Sequence, residues 1–332
     1  MKRKLVCFIG IQLFLTLYML PSLSADIFTD PFHTANRHPI IHPYGLPNAR
    51  SAYIVEKSTW QGISNFEIGS IAIGESPGAE VIFDGETHEF FLDLSYGYDE
   101  QWEFGFGVNY LNHSGGGLDN LITEWHDIFG LPNGDRDLQG IHDLVYYIED
   151  ERGVQLDFRQ HQQGVGDVQF HLAYQLSDQE KEASSIRAVL KLPSGDAKRL
   201  TGSGGTDLAV SYHYSEKFFA HGEPWAWHAN LGLLITEKGD ILPESRRKIT
   251  AFGSAALVWH NELIALKVQF DYHSPFYRSA NSNVDDHALQ IVFGGTVKID
   301  KKNFIDIAVT EDIQVRQSPD VVFILSYRWL SF

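Results

Sequence analysis

Across residues 262–299 apolar and polar positions alternate. Ile264, Leu266, Val268, Phe270 and Tyr272 share one face, and Ala265, Lys267, Gln269, Asp271 and His273 share the other. After a polar loop, Leu289, Ile291, Phe293, Val297 and Ile299 repeat the pattern opposite Gln290, Thr296 and Lys298. A period of two describes an extended strand with one greasy and one wet face. Strands of soluble sandwiches usually stop after about five or six residues, whereas about ten residues let a tilted strand cross a bilayer.

The same alternation predicts twelve strands, at 65–75, 89–98, 102–110, 167–176, 185–192, 207–214, 225–236, 250–260, 262–273, 287–299, 303–315 and 320–332. In the first of these, Phe66 and Ile68 give way to Ile71 and Ile73, a break in parity that predicts a bulge. Connections at 99–101, 178–184, 215–224, 261 and 300–302 are mostly short, and those at 76–88, 111–166, 193–206, 237–249 and 274–286 are long. Short turns on one side and long loops on the other are the asymmetry of outer-membrane barrels. The expected fold is therefore all-β, a transmembrane antiparallel β-barrel of twelve strands with a long, partly helical outer loop. Within that loop, residues 118–129 carry Leu118, Leu121, Ile122, Trp125, Ile128 and Phe129 at helical spacing, and Leu131-Pro132-Asn133-Gly134 supplies a stop. Residues 145–148 and 154–158 predict a small hairpin. In the last strand Val321, Phe323, Leu325, Tyr327 and Trp329 are out of phase with Phe332, so the terminal assembly signal is expected to end at Trp329.

The first 25 residues read as a signal peptide. Lys2, Arg3 and Lys4 precede an apolar run at 5–20, and small residues follow at 21–25. Cleavage would remove the lone cysteine, Cys7, and move the formal net charge from −17 to −20. A chain this acidic argues against nucleic acid as a partner. No later segment approaches the about 18 apolar residues of a membrane-spanning helix, which leaves a closed barrel as the way to satisfy the backbone in lipid. The expected organisation is a signal at 1–25, a periplasmic segment or plug at 26–60, and a barrel at 61–332. The expected location is the outer membrane of a Gram-negative envelope. Its partners would be membrane lipid and lipopolysaccharide, the barrel-assembly machinery and a small-molecule solute.

Several stretches resemble one family. They are Phe83-Asp84-Gly85-Glu86-Thr87, His113-Ser114-Gly115-Gly116 with Leu118-Asp119, Trp125-His126 with Phe129 to Gly134, Gly164 to Asp167, Lys191 to Asp196, Leu200 to Gly204 and Ser318-Pro319-Asp320. Together they resemble an uncharacterised Gram-negative family, a domain of unknown function whose members are regarded as outer-membrane barrels. The Gly164–Asp167 and Leu192–Asp196 pieces are also similar to phenol meta-pathway-type barrel proteins, a resemblance that implies passage of small hydrophobic compounds. Neither resemblance implies catalytic residues.

Candidate chemistry is sparse. His33, His38 and His42 match no compact metal-ligand spacing among their prolines, and Asp135-Arg136-Asp137 matches no calcium loop. No metal site and no cofactor is expected. His113 and Ser114 are adjacent, which in a strand sends them to opposite faces and defeats a hydrolase pair. Lys191, Lys198 and Arg199 among glycines make a weak phosphate cradle, because no helix start follows; the loop reads as an ordinary long outer loop, with contact to lipopolysaccharide phosphates as the other reading.

The inward face is more informative. Glu103, Asn109, His171, Arg187, Lys191, His213, His228, Lys267, Asp271 and Lys298 are the lumen candidates, mixing both charge signs with amides, as in a wet channel or a salt-bridged plug. His113, Leu118, Trp125, His126 and Phe129 are the lid-loop candidates. The expected function is a channel or facilitator for small molecules, closed by that loop. A structural or adhesive barrel acting through its outer loops is the second reading, and a lipid hydrolase is the third.

Overall fold

The computed structural model describes residues 27–74, 80–130, 142–314 and 316–331. In chain order it contains β1 (Trp60–Ile73), β2 (Val81–Gly97), β3 (Trp102–Ser114), α1 (Asp119–Phe129), β4 (Val145–Asp150), β5 (Gly153–Phe158), β6 (Gln162–Val165), β7 (Val168–Asp178), β8 (Glu182–Leu192), β9 (Asp207–Ala220), β10 (Glu223–Thr236), β11 (Ile249–His260), β12 (Ile264–His273), β13 (Ala288–Lys298), β14 (Asn303–Asp312) and β15 (Val321–Leu330). All strands belong to one antiparallel sheet. Twelve of them form the wall, each paired with its neighbour in sequence, except that β3 pairs with β7 across the long loop. Pairing of β1 with β15 closes the barrel. The remaining three, β4 to β6, extend the wall above β2 and β3 at the long-loop end.

The period-two pattern sorts the wall into two environments. Leu231, Leu257, Leu266, Ile307 and Leu325 point outward and are exposed, forming an apolar belt. At the short-turn end the belt is edged by aromatic pairs. Trp60 lies against Tyr96 at 4.8 Å, Trp102 against Tyr174 at 4.7 Å, and Tyr214 against Trp227 at 5.3 Å between ring centroids. Amphipathic rings at the boundary of an apolar band are the girdle of a membrane barrel.

The structure departs from the expected strands mainly at the long-loop end. The β1–β2 register runs unbroken from Trp60↔Tyr96 to Ile73↔Phe83, so the expected bulge is not part of this pairing. Phe66 points outward, whereas Ile71 and Ile73 point inward and are buried; the change of parity in the sequence is a change in what the inner face touches. For the same reason β2 begins at Val81 inside the expected 76–88 loop. Val81 and Phe83 are buried there, and no alternation marks a strand with cover on both faces. β3 likewise continues to Ser114 because Leu111 and His113 face inward, both fully buried.

Residues 27–57 lie inside the barrel. Ile27 and Phe28 pack with Ala226, Val258, Ala265 and Phe304 at the short-turn end. Phe32 packs with Val292, Ala308, Val322 and Ile324. Ile40, Ile41 and Tyr44 join Phe83, Tyr146 and Tyr277 beneath the long loops. The chain then returns, so that Ser58 donates its amide to the Gly97 carbonyl at the short-turn end. The segment is a U with an ascending arm, a tip at 38–46 and a descending arm. The arms are tied to each other by the Ala49 amide on the Thr34 carbonyl at 3.1 Å.

Candidate functional site in the barrel lumen

A segment without regular structure must place its backbone donors and acceptors elsewhere, since burying them unpaired is costly. Here the wall side chains take them. On the ascending arm, Arg328 donates to the Ile27 carbonyl, the His228 ring lies 2.9 Å from the Thr29 carbonyl, and Gln269 accepts from the Phe32 amide at 2.8 Å. At the tip, Lys191 donates to the Pro43 carbonyl at 3.2 Å and Asp207 accepts from the Gly45 amide at 2.9 Å. On the descending arm, Ser215 accepts from Ala52 at 2.9 Å, Gln175 from Ile54 at 3.0 Å and Glu103 from Val55 at 2.9 Å, while Arg187 donates to the Tyr53 carbonyl at 2.9 Å. The inner face reads as wet in sequence because its partner is a bare backbone.

Charge pairs lock the same contacts. Arg37 on the ascending arm lies 2.6 Å from Glu67 of β1 and 2.9 Å from Glu89 of β2, and His42 lies 3.2 Å from Glu89. Arg50 on the descending arm pairs with Asp93 and lies 3.7 Å from Glu103, which also holds Arg187 at 2.7 Å. His171 lies 3.1 Å from Asp93. At the short-turn end Asp306 holds Arg328 at 2.6 Å and Lys267 at 3.5 Å. Removing one partner of such a buried pair leaves a charge uncompensated and costs about 3–5 kcal/mol.

The tip is gripped by a latch. The Lys191 ammonium sits between Asp167 at 2.7 Å and Asp207 at 2.9 Å, with Ser203 as a further partner. Asp167 also accepts from the amides of Gly195 at 2.7 Å and Ser203 at 3.0 Å. Three of the stretches singled out in sequence, at 164–167, 191–196 and 200–204, therefore fold into one unit around Lys191. Over the tip, the Arg246 guanidinium lies 3.9 Å from the Tyr44 ring centroid and 4.6 Å from that of Phe276. Tyr277 donates its hydroxyl to the Ile40 carbonyl at 2.6 Å, and burial raises that phenol well above its ordinary range.

All ten lumen candidates face inward. Asn109 donates to Glu89 at 2.8 Å, the His213 ring lies 3.0 Å from the Arg50 carbonyl, Asp271 accepts from Gln269 at 3.0 Å, and the Lys298 ammonium lies 5.4 Å from the Phe28 ring centroid. Of the lid-loop candidates, His113 and Leu118 have described side chains. His113 belongs to β3, not to the loop. Its Nδ1 lies 2.9 Å from the Thr87 hydroxyl and its Nε2 lies 3.2 Å from the Leu200 carbonyl, so both ring nitrogens are engaged away from Ser114. Leu118 donates its amide to Glu86 at 2.6 Å just before α1. Trp125, His126 and Phe129 lie on α1, but their side chains fall outside the described residues. Asp135 and Asp137 also lie outside them. His33 stacks on Phe91 at 5.6 Å, and His38 meets Phe83 edge-on at 4.6 Å.

Arg37, Arg50, Glu67 and Asp207, which join the segment to the wall, are not among the residues the alternation singles out. For Arg37 a signal lay in the irregular run at 26–46, which places a guanidinium, three imidazoles and the Asn36 amide among its prolines; Glu67 and Asp207 sit on alternating strands and look like any other inward polar position.

A closed, twelve-stranded antiparallel barrel with an apolar belt and an aromatic girdle defines the class: the fold is that of the outer-membrane β-barrels. Among solved structures, the COG4313 outer-membrane channel from Pseudomonas putida F1 matches with a TM-score of 0.56 at 11% identity, over 83% of this chain and 97% of that one. The NanC porin matches at a TM-score of 0.44 and 11% identity over 82% of this chain and 98% of that one. The Pseudomonas putida toluene transporter TodX matches at 0.37 and 10% identity over 91% and 94%. At these identities the likeness concerns fold alone, and only the first reaches a score on which an argument can rest. No curated protein matches the chain. Over residues 7–330 the chain belongs to the DUF3187 family, proteins of unknown function.

Proposed function

We propose that this protein is an outer-membrane channel for small polar solutes whose lumen is held shut by residues 27–57. One observation carries the reading: the polar side chains of the wall are engaged with a separate, continuous segment rather than with the opposite wall. A barrel shut for structural reasons alone can fill its lumen with wall side chains. Here withdrawal of the segment would uncover Glu67, Glu89, Asp93, Glu103, Arg187 and Lys267, a lining that water wets. The charged lining favours polar solutes over hydrophobic ones, and the fold shared with the COG4313 channel supports passage. In this reading the signal at 1–25 is cleaved, the short turns face the periplasm, and the outer loops meet lipopolysaccharide. The barrel-assembly machinery inserts the chain. The closing element is the N-terminal segment; α1 and Leu118 belong to the outer cover of the mouth.

The second reading, a structural barrel working through its outer loops, draws on the apolar cluster that unites Ile40, Ile41 and Tyr44 with those loops. Osmotic swelling of proteoliposomes in a small sugar separates the two. The native protein should swell slowly, and Lys191→Ala, which breaks the latch, should swell several-fold faster. If Lys191→Ala and the double variant with Arg37→Ala both keep the heat-modifiable mobility of a folded barrel and swell no faster than native, the structural reading stands.

A further inference from the structure

Cavities follow one side of the descending arm. The innermost, of about 30 Å³, lies between His33 and Arg50 of the segment and Asp93, His171, Arg187 and His213 of the wall. Below it a second, of about 20 Å³, is lined by Asp30, Ser51, Tyr53, Gln61 and Arg328, and shares His33, Arg50 and Arg187 with the first. At the short-turn end a third, of about 350 Å³, opens between residues 53–57 and the turns that carry Asp99, Glu100 and Asp178. A water needs about 10–15 Å³ of such space, so each inner cavity has room for one or two waters, whereas the outermost admits a small solute.

Tyr53 lines both the second and the third cavity. It is the residue of the segment that the two cavities share. Its hydroxyl is buried without a hydrogen-bond partner, and the Lys217 ammonium lies 4.8 Å from its ring centroid. The Tyr53 backbone is fixed by Arg187 through its carbonyl, so the ring is held by packing and by one cation, with no polar anchor at its tip. An aromatic side chain so placed can rotate without breaking the ion pairs that seat the arm.

We infer that Tyr53 is the inner shutter of the channel, and that water and small hydrogen-bonding solutes pass along the face of the descending arm lined by Arg50, Arg187 and His33. The inference rests on the channel reading and adds the path and the residue that closes its periplasmic half. The Lys191 latch holds the tip of the same segment, so its loss frees the segment and Tyr53 with it, whereas opening the shutter alone leaves the tip seated and admits a probe without producing a through-pore.

The mature chain lacks cysteine, which makes thiol accessibility a clean readout. Gln61→Cys places a thiol on the wall of the second cavity. The probe is a small charged methanethiosulfonate added from the short-turn side of oriented proteoliposomes. In the native background labelling should be slow. In Tyr53→Ala it should be at least about tenfold faster, and in Tyr53→Phe, which keeps the ring, it should stay slow. A version lacking residues 27–57 gives the upper limit. Equal labelling of native and Tyr53→Ala, with rapid labelling of the deletion, would overturn the shutter and leave the channel reading untouched. Rapid labelling of Gln61→Cys in the native background would also overturn it. A deletion that labels rapidly yet passes no solute would instead count against the channel.

Discussion

Arg37 and Glu67 are joined by two parallel hydrogen bonds, Nε to Oε2 at 2.6 Å and Nη2 to Oε1 at 3.0 Å, although one residue belongs to the inner segment and the other to β1. Both are buried. A forked guanidinium–carboxylate contact fixes orientation as well as distance. It therefore sets the height and rotation of the ascending arm.

Replacing Arg37 with Met should leave Glu67 and Glu89 without their cation. The expected cost is about 3–5 kcal/mol, seen as a lower unfolding temperature and as protease cleavage within residues 27–57. A partner change, Glu67→Gln in the Arg37→Met background, should recover part of the loss. Equal stability of native and Arg37→Met would contradict the assigned contact.

Gly97 marks where the descending arm crosses β2. A β-carbon there would overlap the carbonyl oxygens of Val55 and Glu56, which are backbone atoms unable to step aside. Gly97→Val should therefore unseat the arm at a cost of about 1–3 kcal/mol or more, raising protease access to residues 47–57 while the barrel keeps its heat-modifiable mobility. Gly117→Ala, where an added β-carbon meets nothing, should behave as native. Identical digestion of the two variants would place the crossing elsewhere.

His38 gives the tip a dependence on pH. Burial, assisted by nearby His273, lowers its pKa from 6.5 to about 3. Above pH 6.5 the ring is neutral in folded and unfolded chains alike, and no stability depends on it. As pH falls from 6.5 towards 3 the unfolded chain takes the proton and the folded one resists. Stability contributed by the neutral site is thus lost on acidification, by about 2 kcal/mol at pH 5 at roughly 1.4 kcal/mol per pH unit. The unfolding temperature should drop between pH 7 and pH 5 in the native protein and drop less in His38→Gln. Equal slopes in the two proteins would exclude His38 as the cause.

What was legible in the sequence follows from what each face touches. Lipid on one side and polar groups on the other produced clean alternation in β12 and β13, and there the strands matched. At the long-loop end the inner face packs on Ile40, Ile41 and Tyr44, so Ile71, Ile73, Val81 and Phe83 turned apolar and the pattern lost its phase. The inward positions of Glu103, Arg187 and Lys267 could be read, but not what they face. A wall side chain that binds a backbone carbonyl looks the same in sequence as one that binds water. The segment at 27–57 has neither helical nor strand periodicity because its own backbone bonds are confined to short turns and the Ala49–Thr34 tie, while amides such as those of Phe32, Ile54 and Val55 go to wall side chains.

On the function proposed above, residues 27–57, and not the outer helix, close the lumen. Single-channel conductance in a planar bilayer tests it, with the refolded full chain beside a version lacking residues 27–57, each checked for heat-modifiable mobility. The expected result is a full chain that is silent or opens rarely, and a deletion that conducts steadily. A deletion that folds as a barrel and stays silent would contradict it.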